Sequence, residues 1–348
     1  MRLARAAFVL NKVPVVAASV ATSIALSLGG APDATAQSAP LSSLRGLIVV
    51  SNERSHDLTL VDPATLRVIS TIPVGARARG IRIAPDRITA LVALSGDSVK
   101  TPHPNDGIGV VDLAARRMTR RLKAGTDPEQ FAITPDGKRI FVSNEDAGTA
   151  SSIDPVSGEV RKRLVVGTEP EGVTTSPDGR WVYVTGETSN TVSVIDVAGE
   201  RVVATFLVDP RPRAVAFSPD GRFAYVTSEI GGSIARVDAR SHRVIGRARI
   251  GTGEEKPVGV AVSADGGRLY VVTGAAHSLV ALDAATLREL GRVRVGRRPW
   301  GVALSPDGRF AYTANGLTDD MSVVQLPAMR VTQTVRVGTR PWGVAVVP

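Results

Sequence analysis

Cysteine is absent from this 348-residue chain. Disulfides, thiolate metal sites, thioether-attached haem, a lipidated N-terminal cysteine and a cysteine nucleophile are therefore excluded. Histidine is scarce: His56, His103, His242 and His277 are the only four, and they are widely scattered. An imidazole metal centre or a nucleophile–histidine pair is thinly supplied. Aromatic residues make up 4% of the chain, too few for the successive stacking platforms of a single-stranded nucleic-acid groove. A net charge of +9 attracts anions, but nucleic acid is the least favoured partner. No Gly-x-x-x-x-Gly-Lys-Ser/Thr phosphate loop occurs, and helical periodicity is missing throughout.

Long apolar runs are equally rare. The one candidate, Val13 to Leu28, is 16 residues long, short of the roughly 20 needed to span a bilayer. Arg2, Arg5 and Lys12 precede it and Ala34-Thr35-Ala36 follows. These flanks predict a secretory signal at residues 1–36, cleaved before Gln37, then a short tail at 37–45. The mature chain is expected in the periplasm with no membrane span.

What is present is a repeat, and a fixed period dictates architecture. Segments of the type Val-Gly-x-x-Pro-x-Gly begin their glycine at Gly75, Gly125, Gly167, Gly251, Gly296 and Gly338, with Asp209 in the same place in Val208-Asp209-Pro210. Most steps between them are 42 residues. A Ser-Pro-Asp-Gly type turn follows at Pro135, Pro177, Pro219 and Pro306, with relatives at Pro85 and Ala264. Proline presets one dihedral of such a turn and glycine accepts positive φ. Between the turns lie runs of five to eight residues rich in Val, Ile and Tyr, such as Trp181-Val182-Tyr183-Val184-Thr185.

Four short antiparallel strands per repeat fit this spacing. A four-stranded sheet cannot bury both faces alone, and radial stacking of seven such repeats gives an all-β, seven-bladed β-propeller over residues 46–348. Gly46-Leu47-Ile48-Val49-Val50 aligns with a second strand and Trp342-Gly343-Val344-Ala345-Val346-Val347 with a first. The first blade is expected to be built from both ends of the chain.

The repeats resemble the YVTN family of propeller repeats through Tyr183-Val184-Thr185-Gly186, Tyr225-Val226-Thr227-Ser228 and Tyr312-Thr313-Ala314-Asn315. The order of non-repeating features is similar to that of the propellers associated with PQQ-dependent catabolism: Ser51-Asn52-Glu53, Asp127-Pro128-Glu129, Asn144-Glu145-Asp146, Glu169-Pro170-Glu171-Gly172, Ser228-Glu229-Ile230-Gly231-Gly232 and Pro341-Trp342-Gly343-Val344. That resemblance implies a periplasmic accessory protein with a functional link to a PQQ-dependent dehydrogenase, holding no PQQ or other cofactor itself. The loop Ser95 to Asp106 departs from the pattern.

In this strand order the junctions before each first strand share one face with the loops after each second strand. The residue at the channel mouth reads, around the ring, Arg79, Glu129, Glu171, Arg213, Val258, Trp300 and Trp342. A structural repeat needs no such variety. Glu53, Glu145, Glu187 and Glu229 occupy one equivalent loop position in four blades. Trp300 and Trp342 are placed to form one aromatic wall, and Glu129 and Glu171 are neighbours. These residues either close the channel with salt bridges or receive a small ligand or protein partner on the top face. With no triad and no assigned metal ligand, the expectation is a binding or scaffold propeller rather than an enzyme. The alternative is a metal-dependent hydrolase of the lactonase sort, its ion held by top-face carboxylates.

Overall fold

The computed structural model describes residues 44–96 and 103–348. The expected signal segment, most of the tail and the middle of the Ser95–Asp106 loop lie outside them. Among the described residues, twenty-eight strands form seven four-stranded antiparallel sheets, and the one helical element is a 3-10 turn at Glu145–Ala147. The fold is a seven-bladed β-propeller. Among the described residues no helix is long and apolar enough to cross a membrane.

The first strands of the blades line the channel and touch one another around it: Pro341–Val346 of blade 1, then Arg77–Ile83, Pro128–Ile133, Pro170–Thr175, Pro212–Phe217, Pro257–Val262 and Pro299–Leu304. Blade 1 is built from both chain ends, as the sequence predicts. Pro341–Val346 pairs with Ile48–Asn52 in the register Ile48 to Val346 and Val50 to Val344.

The core sits between blades. Seven apolar clusters each join one blade to the next. In one, Tyr183 and Val194 of blade 4 pack on Phe217, Val226 and Val237 of blade 5. Burial on both faces explains why the second and third strands read as near-continuous apolar runs. The fourth strands are different. Arg243–Arg249 alternates exposed and half-buried residues, and arginines along such outer edges discourage pairing with another chain.

The tight turns opposite the channel mouth keep their predicted chemistry. Gly137, Gly179, Gly221 and Gly308 stand at positive φ, where a side chain would be strained. Ser176 and Ser218 donate their hydroxyls to Asp178 and Asp220 within those turns, each at 2.5 Å.

Candidate active site

Each first strand carries a register shift at its mouth end. Pairing skips from Pro170 to Val173, from Pro212 to Val215, from Pro257 to Val260 and from Pro299 to Gly301, and it shifts likewise between Ala78 and Ile81 and between Pro128 and Phe131. Arg79, Glu129, Glu171, Arg213, Val258 and Trp300 fall in the gaps, and Trp342 falls in the equivalent gap opposite Ser51 and Asn52. A bulge leaves its extra residue out of the ladder and re-aims the side chain. The variable channel-mouth positions are therefore among those that the backbone frees.

The hydroxyl of the second strand holds several of these bulges from the neighbouring blade. Ser143 donates to the Glu171 carbonyl at 2.8 Å, Thr185 to the Arg213 carbonyl at 3.2 Å and Thr227 to the Val258 carbonyl at 2.5 Å. The threonine of the Tyr-Val-Thr motif thus fixes the channel residue of the next blade.

The residue before each junction proline takes a left-handed conformation: Asp127, Glu169, Arg211, Lys256, Arg298 and Arg340 all have φ between 44° and 61°. Non-glycine residues occupy this region at a cost and need restraint. Their carbonyls accept the amides of Glu145, Glu187, Glu229, Gly274, Gly316 and Glu53, in that order. These bonds bring Glu53, Glu145, Glu187 and Glu229 to the channel mouth, on the predicted face.

Two ion-pair clusters result. In the first, Arg79 pairs with Glu129, with Glu53 at 3.4 Å and with Glu145 at 3.9 Å, while Arg77 binds Asp127 at 2.9 Å and Glu53 at 3.5 Å. In the second, Arg213 pairs with Glu171 and lies 2.6 Å from both Glu187 and Glu229. Arg211 adds contacts to Glu187 at 2.5 Å and Glu229 at 3.4 Å, and Arg298 reaches Glu229 at 2.9 Å. Glu129 and Glu171, neighbours in the ring, are thus each taken up by an arginine of a different cluster.

The second cluster runs into the aromatic wall. Trp300 and Trp342 stack with ring centroids 6.1 Å apart and planes at 15°. The Arg298 guanidinium lies 4.2 Å and that of Arg213 5.7 Å from the Trp300 ring centre, so cation–π attraction and ion pairing hold the same two side chains. Glu187, Arg213 and Trp300 are thus in contact in series, with Trp342 stacked on Trp300.

The electrostatics single out Glu187. Burial raises its carboxyl to about 7; Arg211 opposes the rise, and Glu145, Glu169 and Glu229 add to it by repulsion. Burial also raises Glu145 and Asp127 above the usual carboxylate range, against the pull of nearby arginines. Glu229 goes the other way: burial alone would raise it, but Arg213 and Arg298 outweigh that and hold it low. A carboxylate poised near neutrality beside one kept ionised is the pattern expected of acid–base chemistry.

Among the described residues, one group of carboxylates has metal-ligand spacing. Oxygens of Asp127, Glu129 and Glu145 lie within 4.8 Å of one another. Arg77 and Arg79 already bond Asp127 and Glu129, so a cation would compete with two guanidinium groups for its oxygens. The histidines take other roles. His56 and His277 occupy the left-handed turn position that Asn190 holds in blade 4, and His242 bonds the Tyr183 hydroxyl through Nδ1 at 2.7 Å.

Sequence reasoning missed Arg77, Asp127, Glu169, Arg211 and Arg298. The signal that finds them is the one used for the channel positions. The residue before the junction proline, whose place Ala78 takes in the second blade, also refuses to repeat, reading Arg77, Asp127, Glu169, Arg211, Lys256, Arg298 and Arg340 around the ring.

A family model described as YNCE-like β-propeller matches residues 101–188, and one described as lactonase, 7-bladed β-propeller, matches residues 203–339. The chain is similar to propeller lactonases. No curated protein matches it. Among solved structures, the Pseudomonas aeruginosa periplasmic gluconolactonase PpgL is 23% identical with a TM-score of 0.72, over 87% of this chain and 99% of that one. A putative 6-phosphogluconolactonase from Bacteroides uniformis is 16% identical with a TM-score of 0.73, over 87% and 100%. Kuenenia stuttgartiensis hydrazine synthase is 23% identical with a TM-score of 0.72, over 81% and 93%. At such identities the likeness to these structures is one of fold.

These findings correct two expectations. The non-enzymatic binding or scaffold propeller, accessory to PQQ-dependent alcohol oxidation, gives way: the lactonase family match over residues 203–339 points to an enzyme. Both family matches carry the propeller, and neither carries the link to PQQ-dependent catabolism. The physical reason for the error is that lactone hydrolysis needs no cysteine, histidine or triad. A carboxylate base beside a cation suffices chemically, and a Glu becomes such a base only through burial among other carboxylates, which local sequence does not display.

Proposed function

We propose that the protein is a lactonase-like hydrolase whose active site is the top-face mouth of the channel, acting in the periplasm. The observation that carries this reading is the contiguity of Glu187, Arg213 and Trp300: a carboxyl raised to about 7, 2.6 Å from a guanidinium that lies over an indole. The lactonase match over residues 203–339 includes Arg213 and Trp300. The periplasmic placement rests on the signal-like N-terminus and on the likeness to a periplasmic gluconolactonase.

In this reading the lactone ring lies against Trp300 and Trp342, with its carbonyl toward Arg213. Glu187 in its ionised form takes a proton from water, and the water oxygen attacks the carbonyl carbon. The carbonyl oxygen becomes an oxyanion, which the Arg213 guanidinium stabilises in a partly dehydrated setting. Collapse breaks the ring carbon–oxygen bond, and the proton held by Glu187 passes to the departing alkoxide. One water is consumed and a hydroxy acid leaves.

Hydrolysis of simple γ- and δ-lactones followed in a pH-stat tests the reading. The wild-type protein is expected to turn over at least one of them, and Glu187→Gln to lose about 10²–10⁴-fold in kcat with its thermal midpoint retained. No turnover on any of these lactones, or full activity in Glu187→Gln, would overturn it.

A further inference from the structure

The charge balance of the buried clusters at the channel mouth is opposite to that of the protein as a whole. The chain is basic, at +9, yet the two ion-paired clusters set seven carboxylates against five arginines. Every one of those arginines is already held by a carboxylate. Glu169, at the same mouth, makes no ion pair among the described residues; its contact is the Thr188 hydroxyl. The clusters are mostly buried, with side chains of Arg213, Glu171, Glu187 and Glu229 at 10% exposure or less, so solvent screens them weakly.

Other cations of the rim, among them Arg54, Lys256, Arg297 and Arg340, are exposed, where salt and water blunt their field. A phosphate or carboxylate brought inside this mouth finds each guanidinium of the two buried clusters already bonded to a carboxylate rather than open for fork geometry. It meets instead the repulsion of Glu145, Glu169, Glu187 and Glu229, the carboxylates that sense one another.

We infer that this site selects uncharged lactones and discriminates against lactones bearing a phosphate or carboxylate, through the excess of buried carboxylates around Arg213. The inference rests on the lactonase reading and names the substrate class within it. It separates this protein in specificity from a 6-phosphogluconolactonase, although the fold is shared with structures so described. A neutral ring stacks on Trp300 and Trp342 and hydrogen-bonds the carboxylate rim through its hydroxyls without bringing a like charge.

The experiment compares D-glucono-δ-lactone with its 6-phosphate as substrates of the full mature chain, at low and high ionic strength. The neutral lactone is expected to have a kcat/KM at least about tenfold higher at low salt, the effect of one unscreened like charge near a partly buried site. Raising the salt narrows the gap by raising the rate on the phosphate. Glu169→Gln, which removes an exposed charge outside the ion pairs, is expected to narrow it the same way when the two lactones are compared as a ratio of kcat/KM, because any accompanying shift of the Glu187 carboxyl acts on both substrates alike. Equal or better turnover of the phosphate at low salt overturns the inference and leaves the lactonase reading standing. Turnover of neither lactone, with none on the simple lactones, overturns both.

Discussion

Thr185 of blade 4 donates its hydroxyl to the backbone carbonyl of Arg213 in blade 5, at 3.2 Å, and accepts the Gly172 amide at 2.7 Å. One buried side chain thus fixes the bulges that carry Glu171 and Arg213, the two partners of an ion pair. Thr185→Val keeps the shape and removes the bonds, leaving a buried amide and carbonyl short of a partner. A loss of about 1–3 kcal/mol is expected, read as a lower midpoint in urea. If Arg213 serves the reaction, kcat falls as well, and Thr185→Ser restores both. An unchanged midpoint would mean that the bulge holds itself.

The pH dependence follows from Glu187. Its carboxyl titrates near 7, and only the ionised form can accept a proton from water. The kcat/KM of hydrolysis is therefore expected to rise with pH through about 7 and level off above it. Burial raises this midpoint first, Arg211 pulls it down, and Glu145, Glu169 and Glu229 push it up further. Glu145→Gln should shift the rising limb to lower pH, because one source of repulsion is gone. A limb that stays in place in that variant would assign the titration to another group.

The stacked indoles supply the third test. Trp300→Ala and Trp342→Ala each remove half of a floor whose centroids are 6.1 Å apart. KM for a ring substrate is expected to rise in both. The double variant should lose less than the sum of the singles, since the pair's own coupling, about 0.5–1.5 kcal/mol, is counted in each. Strict additivity in stability would show that the two rings pack independently.

Ring closure is testable by truncation. Pro341–Val346 is the innermost strand of blade 1, and Trp342, Val344 and Val347 are all buried. Deleting residues 342–348 strips that strand from Ile48–Asn52 and opens the clusters on both sides of blade 1. At roughly 1.5–3 kcal/mol for each of these three side chains, the loss is about 4.5–9 kcal/mol, comparable to the 5–15 kcal/mol that holds a typical domain. The truncated chain is expected to melt at least about 10 °C lower or to be recovered unfolded. A midpoint equal to wild type would refute a closed ring.

The architecture was legible because it is written in a period. Gly75, Gly125 and their successors space the junctions, Pro-Asp-Gly marks the turns, and the mismatch between a second-strand start at Gly46 and a first-strand end at Trp342 reveals the closure. The mouth residues were legible too, since Arg79, Glu129, Glu171, Arg213, Trp300 and Trp342 break a pattern that otherwise repeats. Their chemistry was not. Whether Glu129 meets Glu171 or Arg79 depends on bulge geometry across blades, and whether Glu187 is an ordinary carboxylate or one raised to about 7 depends on burial beside Glu145 and Glu229. Those are distances between residues 42 or more positions apart, set by the radial packing rather than by any local spacing.

A chelator separates two ways of running the hydrolysis. Asp127, Glu129 and Glu145 have oxygens close enough to share a divalent ion, but Arg77 lies 2.9 Å from Asp127 and Arg79 is bonded to Glu129. An ion entering there must displace two guanidinium groups that already neutralise the carboxylates. Activity on a neutral lactone is therefore expected to be unchanged after EDTA and dialysis, and unchanged on adding Ca²⁺ or Mn²⁺. Activity that disappears with EDTA and returns with either ion would move the chemistry to the first cluster. In that event Glu145→Gln, rather than Glu187→Gln, becomes the variant that abolishes turnover.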